Sequence, residues 1–177
     1  KLMADIDASE TISWDGGKGF NPVPFSGKFD GNGYIIRGLY INRGEESRVG
    51  LFGECYSGEL KNICLTNAYV VGEDVVGAIV GHNEGIVTNC CVKSSRVYGC
   101  YVVGGLCGGN YRGEVNQSYS LITVQGRKEV GGLVGRSFNG RIIQCYSSGG
   151  VSGILTVGGL VGSANETTLN QCFSISN

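Results

Sequence analysis

The sequence predicts an all-β protein: a single-stranded parallel β-helix, or β-solenoid, of about 27 residues per coil. Three observations carry that expectation. A glycine-rich phrase begins at Val49 (VGLFG), Val76 (VGAIVG), Val103 (VGGLCG), Val130 (VGGLVG) and Val157 (VGGLVG), so successive starts differ by 27. Self-similarity at a fixed period of this size marks repeats that stack coil upon coil. No stretch sustains a 3.6-residue apolar period, whereas short β-rich runs lie between the glycines. Composition agrees: glycine is 32 of 177 residues with only 2 prolines, and 41% of residues are hydrophobic against 16% charged. That is too little proline for collagen and too much apolar content for disorder. A coil larger than that of the hexapeptide left-handed helices is expected to wind right-handed.

The elements follow in order. Residues 1–48 read as an N-terminal cap and first coil. Residues 14–43 lack the glycine phrase but contain Phe25, Phe29, Tyr34, Ile36, Leu39 and Ile41 around an Asp30-Gly31-Asn32-Gly33 turn. DGNG between extended apolar runs predicts a hairpin or tight turn, because Gly and Asn tolerate positive φ. Trp14 and Pro22–Phe25 are expected to close the coil end, which would otherwise be an open edge. Residues 49–177 then hold five repeats (49–75, 76–102, 103–129, 130–156 and a partial 157–177) of one continuous domain.

Within each repeat a second glycine follows a variable turn, at Gly58, Gly85, Gly113 and Gly140, with Thr167 in the last copy. A β segment comes next: GELKNICL, GIVTNCCV, GEVNQSYS, GRIIQCYS and TTLNQCFS. Stacking places like residues above one another, about 4.8 Å apart. Leu60, Val87, Val115, Ile142 and Leu169 then form one inward column, and Ile63, Cys90, Ser118, Cys145 and Cys172 another. Asn62, Asn89, Gln117, Gln144 and Gln171 form an amide column in which each rung can donate to the next. The chain opens KLMADID and stops inside its last repeat; a segment of a longer protein is expected, with end-to-end contact through the last coil a further expectation.

The pattern F-x-G-x-F-D-G-N-G-Y-x-I at Phe25–Ile36, with the V-G-G-L-V-G phrases and the N/Q-C-Y-S segments, resembles the GLUG-repeat proteins. The resemblance implies an extracellular bacterial repeat module of large surface or secreted proteins, among them adhesin-like and IgA-peptidase-like ones. It implies no particular activity.

Chemistry is sparse. A net charge of −1 offers no basic patch for nucleic acid, and no apolar run is long enough to span a membrane. No cofactor or metal is expected: the one histidine, His82, cannot supply an HExxH site. The eight cysteines include no CxxC pair. A stacking distance of about 4.8 Å exceeds the Cβ separation a disulfide prefers, so mostly reduced core thiols are expected. Two carboxylates, Glu54 and Glu84, fall in the first variable turn of neighbouring repeats, which keeps a polysaccharide-active β-helix (lyase or glycoside hydrolase) as the alternative, alongside an accessory carbohydrate-binding module. The leading reading is non-catalytic: an adhesin stalk or interaction module for a host or cell-surface protein or glycan. Its candidate binding edge is the first variable turn, with Tyr56, His82, Tyr111, Arg112, Arg136 and Phe138, because aromatic and arginine side chains dominate interfaces. A second edge carries Glu73, Asp74, Tyr101, Arg127, Lys128 and Glu129. No threonine column of the kind an ice-binding face needs is present.

Overall fold

The computed structural model describes residues 1–176. It is a parallel β-solenoid of about 27 residues per coil, with three sheets running along its length: one of 13 strands and two of six. A middle coil shows the plan. Val80–Asn83 lies in the second sheet, Ile86–Thr88 in the third, and Cys91–Tyr98 and Tyr101–Gly104 in the first. Register follows the repeat: Val87 pairs with Leu60 on one side and Val115 on the other. Parallel strands have both neighbours in the next coils, so almost every hydrogen bond is non-local in sequence.

The interior is a set of apolar columns. Leu60, Val87, Val115 and Ile142 are fully buried, as are Ile79, Leu106 and Leu133 from the glycine phrases. The glycines let the first and second sheets approach. An added Cβ at Gly81 would stand 2.6 Å from the Arg48 carbonyl carbon, and one at Gly108 2.7 Å from that of Val75. No side chain fits between two backbones that close. The amide column takes its corner in the left-handed region, with φ between 49° and 55° from Asn62 to Gln171. Its rungs bond in part as expected: Asn89 donates to Asn62 at 2.7 Å and Gln144 to Gln171 at 3.0 Å. A second, fully buried polar column had no counterpart in the sequence reading. Asn83 donates to Asn110 at 2.8 Å and to the Gly85 carbonyl at 3.2 Å.

The front of the chain corrects one expectation. DGNG does not close a hairpin. Lys28–Asp30 and Ile35–Arg37 belong to different sheets, each pairing in parallel with the next coil, and DGNG is the corner between them. Asn32 and Gly33 do adopt positive φ, 55° and 81°, so the residue chemistry was right and its partner strand was elsewhere. Val23–Phe25 likewise opens the second sheet against Phe52–Cys55. The cap proper is the segment before it: Ile6–Asp7 pairs with Ile36–Arg37, and two 3-10 turns, Ser9–Ser13 and Asp15–Gly17, fold over the coil end. Buried Arg43 ties the cap down by donating to Asp15 at 2.7 Å, Glu46 at 2.9 Å and the Phe20 carbonyl at 3.0 Å. At the far end Leu155, Leu169, Phe173 and Ile175 are exposed.

The thiol expectation also needs correcting. Cys64 and Cys91 form a disulfide between neighbouring coils, with a Cα–Cα distance of 4.5 Å. The expectation set a backbone rung spacing against a Cβ range; as a Cα separation, both 4.5 Å and the usual rung spacing of about 4.8 Å lie within what a disulfide accepts. The other six cysteines are free. Burial pushes the Cys90 and Cys145 thiols up to about 12, and Cys107 higher. The thiolate is the reactive form, so native-state alkylation at pH 8 should modify Cys100 and Cys172 and spare Cys55, Cys90, Cys107 and Cys145. Peptide mass spectrometry reads this directly, and rapid labelling of Cys107 in folded protein would contradict the buried column.

Candidate functional site

The first variable turns are not turns. They are the strands of the second sheet, among them Phe52–Cys55, Val80–Asn83, Cys107–Tyr111 and Val134–Phe138. Side chains alternate along a strand. Cys55, Asn83, Asn110 and Ser137 point inward and are buried. Their neighbours point out. One outward row is Glu54, His82, Gly109 and Arg136; the next includes Tyr111 and Phe138. Tyr56 follows its strand directly. Five of the six sequence-predicted residues therefore share one face. Arg112, at φ 58°, begins the corner and instead lines a shallow groove with Glu84, Glu114 and Arg141.

Gly109 decides the geometry of this face. A Cβ there would run into the Tyr111 ring; without one, Tyr111 folds back over the strand and stacks on His82. Those ring centroids are 4.7 Å apart at 17°, and Tyr56 lies on the other side of His82 at 5.8 Å. Charged pairs flank the aromatic centre with opposite polarity. On one side Arg48 pairs with Glu54 and donates to the Tyr56 hydroxyl at 3.2 Å. On the other, Arg136 forks onto Glu129, Nη2 to Oε1 at 2.6 Å. Arg48 and Glu129 occupy one left-handed corner column, with Val75 and Val102 between them. Glu129 is thus not on an exposed edge, as the sequence reading had it. Its side chain is only 8% exposed, and it belongs to this strip through Arg136.

The Glu54 carboxylate is tied into the strip as an ion-pair partner. Burial works against ionisation of Glu54, but hydrogen bonds from Arg48 and Tyr56 outweigh it and hold the carboxyl below its usual range. His82 Nε2 and Glu84 Oε1 are hydrogen-bonded at 2.9 Å. Glu54 sits opposite His82, and Glu84 belongs to the next outward row. Among the described residues no group of three or more His, Cys, Asp or Glu side chains is placed to hold a metal ion.

One surface escaped sequence reasoning. The tyrosines of the N/Q-x-Y/F-S segments stack outward on the first sheet. Tyr119 and Tyr146 are 4.8 Å apart at 7°, and Tyr146 and Phe173 5.2 Å at 3°. The recurring aromatic before serine was the available signal.

Comparison with known proteins places the repeat. Residues 126–152 match the family model for the GLUG motif. That copy is a GLUG motif, and the other copies share its 27-residue period. Half of the chain is similar to Halomucin of Haloquadratum walsbyi, at 44% identity over 92 residues, which is 1% of that protein. About as much (49%) is similar to a "Putative Gly-rich membrane protein" of Evansella cellulosilytica, at 38% over 96 residues and 11% of its length. A solved structure from Bacteroides ovatus, named a "putative immunoglobulin A1 protease", superposes on 99% of the chain with a TM-score of 0.78 at 25% identity, and 59% of that chain is covered. The chain therefore spans a small part of both curated relatives and just over half of the solved one. Segments similar to half of this chain thus occur outside bacteria as well as within them.

Proposed function

We propose that this GLUG-repeat segment is a non-catalytic interaction module of a surface or secreted protein, acting as an adhesin stalk that presents the second-sheet strip to a protein or glycan. The observation that carries the reading is the continuity of Tyr56, His82 and Tyr111 across neighbouring coils, framed by the Arg48–Glu54 and Arg136–Glu129 pairs. Rigid aromatics in a frame of satisfied charges resemble the anchor-and-rim plan of recognition surfaces. The similarity to a Gly-rich membrane protein and to Halomucin supports a place at the cell surface or outside it.

The enzymatic alternative is weaker on physical grounds. A glycosidase general acid needs a carboxyl pKa raised towards neutrality, whereas Arg48 and Tyr56 drive Glu54 the other way. The test is a combined protein and glycan array. The chain should retain a ligand whose binding falls at least tenfold in Tyr111→Ala. Silence on both arrays would reduce the segment to a spacer, and polysaccharide cleavage abolished by Glu54→Gln with Glu84→Gln would establish the alternative.

A further inference from the structure

The first sheet bends, and its outer surface is indented along the bend. On one side of it the outward columns are Cys64, Cys91, Tyr119 and Tyr146, then Thr66, Lys93, Leu121 and Ser148. On the other side are Tyr40, Tyr69, Arg96 and Thr123, then Val71, Tyr98 and Gln125. The corner itself is Asn67 and Ala68, Ser94 and Ser95, Ile122, and Gly149. Asn67 and Ser94 take positive φ, 54° and 49°, and the pairing slips between Lys93 and Arg96 where the corner shortens. The corner residues with Tyr69, Arg96, Leu121, Thr123 and Ser148 line a trough of about 660 Å³ that crosses four coils, roughly 14 Å at the usual rung spacing; Lys93 and the other outward columns lie just beyond its edges.

Four properties of the trough define what it would take. Its floor is Ala68, Ser95 and Ile122, and its exposed walls offer polar side chains that make no hydrogen bond among the described residues: the Asn67 amide and the Ser94 and Thr123 hydroxyls. Aromatic rings flank one side of it, with Tyr40 and Tyr69 stacked at 5.3 Å and Tyr98 a further 5.6 Å from Tyr69, and the Tyr119–Tyr146 stack lies one outward column beyond the other side. Its charge is of one sign. Lys93 lies over the Tyr119 ring at 5.3 Å, Arg96 is exposed, and neither is ion-paired among the described residues. No carboxylate lines it. Finally, its strands are paired on both sides, so a peptide cannot add to it as a further strand.

We infer that this trough is a binding site for an anionic oligosaccharide lying along the solenoid axis. Arg96 and Lys93 meet its acidic groups, the Asn67, Ser94 and Thr123 side chains meet its hydroxyls, and the flanking tyrosines cover its apolar faces. A carboxylate-free cationic site recognises the polymer without the acid pair needed to cut it. The site shares no residue with the second-sheet strip, so the failure of either reading leaves the other standing.

The experiment is calorimetric titration of the 177-residue chain with tetragalacturonic acid, a sulfated tetrasaccharide and a neutral galactotetraose. At least one anionic oligomer should bind ten or more times tighter than the neutral one, and weaken as salt rises. Arg96→Gln with Lys93→Gln should lower that affinity at least tenfold with a melting temperature changed little, since neither side chain is buried or ion-paired among the described residues. Arg112→Gln, around the corner, should leave it unchanged. Preference between the carboxylated and sulfated oligomers identifies the anion. The inference is overturned if neither anionic oligomer binds, if the neutral one binds equally, or if the Arg112 variant loses as much as the trough variant.

Discussion

Gly135→Ala is expected to destabilise the solenoid by about 3 kcal/mol, the upper part of the range for overpacking a closed interior. The new Cβ would stand 2.6 Å from the Val103 nitrogen and 2.7 Å from the Val102 carbonyl carbon. Both are backbone atoms of a neighbouring coil, so no side-chain rotation relieves the contact. Gly150→Ala is the matched control, because its Cβ would meet only the Thr123 methyl at 3.9 Å. Denaturant midpoints should separate the two substitutions clearly. Equal midpoints would mean that the glycine phrase is not there for close approach.

Arg136→Ala should cost about 2 kcal/mol by leaving the Glu129 carboxylate buried without its partner. The figure sits below that for fully buried pairs because Arg136 is itself 39% exposed. The sign is best read from the pair of variants. Glu129→Gln, added to Arg136→Ala, removes the stranded charge and should recover more than half of the loss in an equilibrium unfolding experiment. If the double variant is as unstable as the single one, Arg136 acts through packing rather than through charge.

Much of the scaffold was legible because stacking makes one coil's chemistry repeat in the next. Leu60, Val87, Val115 and Ile142 could be assigned inward from their spacing, and the amides at Asn62 through Gln171 could be placed at a corner. Asn and Gln at a left-handed position satisfy themselves rung to rung, and that need recurs visibly. The DGNG turn was legible as a turn but not as a corner. Positive φ is a local property, whereas the partner strands are a full coil away. The bridge between Cys64 and Cys91 was compatible with rung spacing, since about 4.8 Å between Cα atoms suits a disulfide; which stacked cysteines turn their sulfurs together is decided by tertiary structure.

The proposed binding strip was half legible. Tyr56, His82, Tyr111, Arg136 and Phe138 could be collected from the first variable segment of successive repeats, but their arrangement in two outward rows could not. Gly109 is one glycine among 32 in sequence, and only its place beneath the Tyr111 ring shows that it permits the stack. Glu129 read as an exposed charge until the corner column turned it against Arg136.

By itself the sequence determined the period, the parallel stacking and the identity of the inward columns. These follow from residue type repeated at a fixed interval, and burial selects on type. The tertiary structure alone decided which outward residues meet. Exterior positions are set by the bend of the first sheet, by slips of one residue between coils and by which side chains find room to fold over a glycine. None of these leaves a periodic trace in the chain.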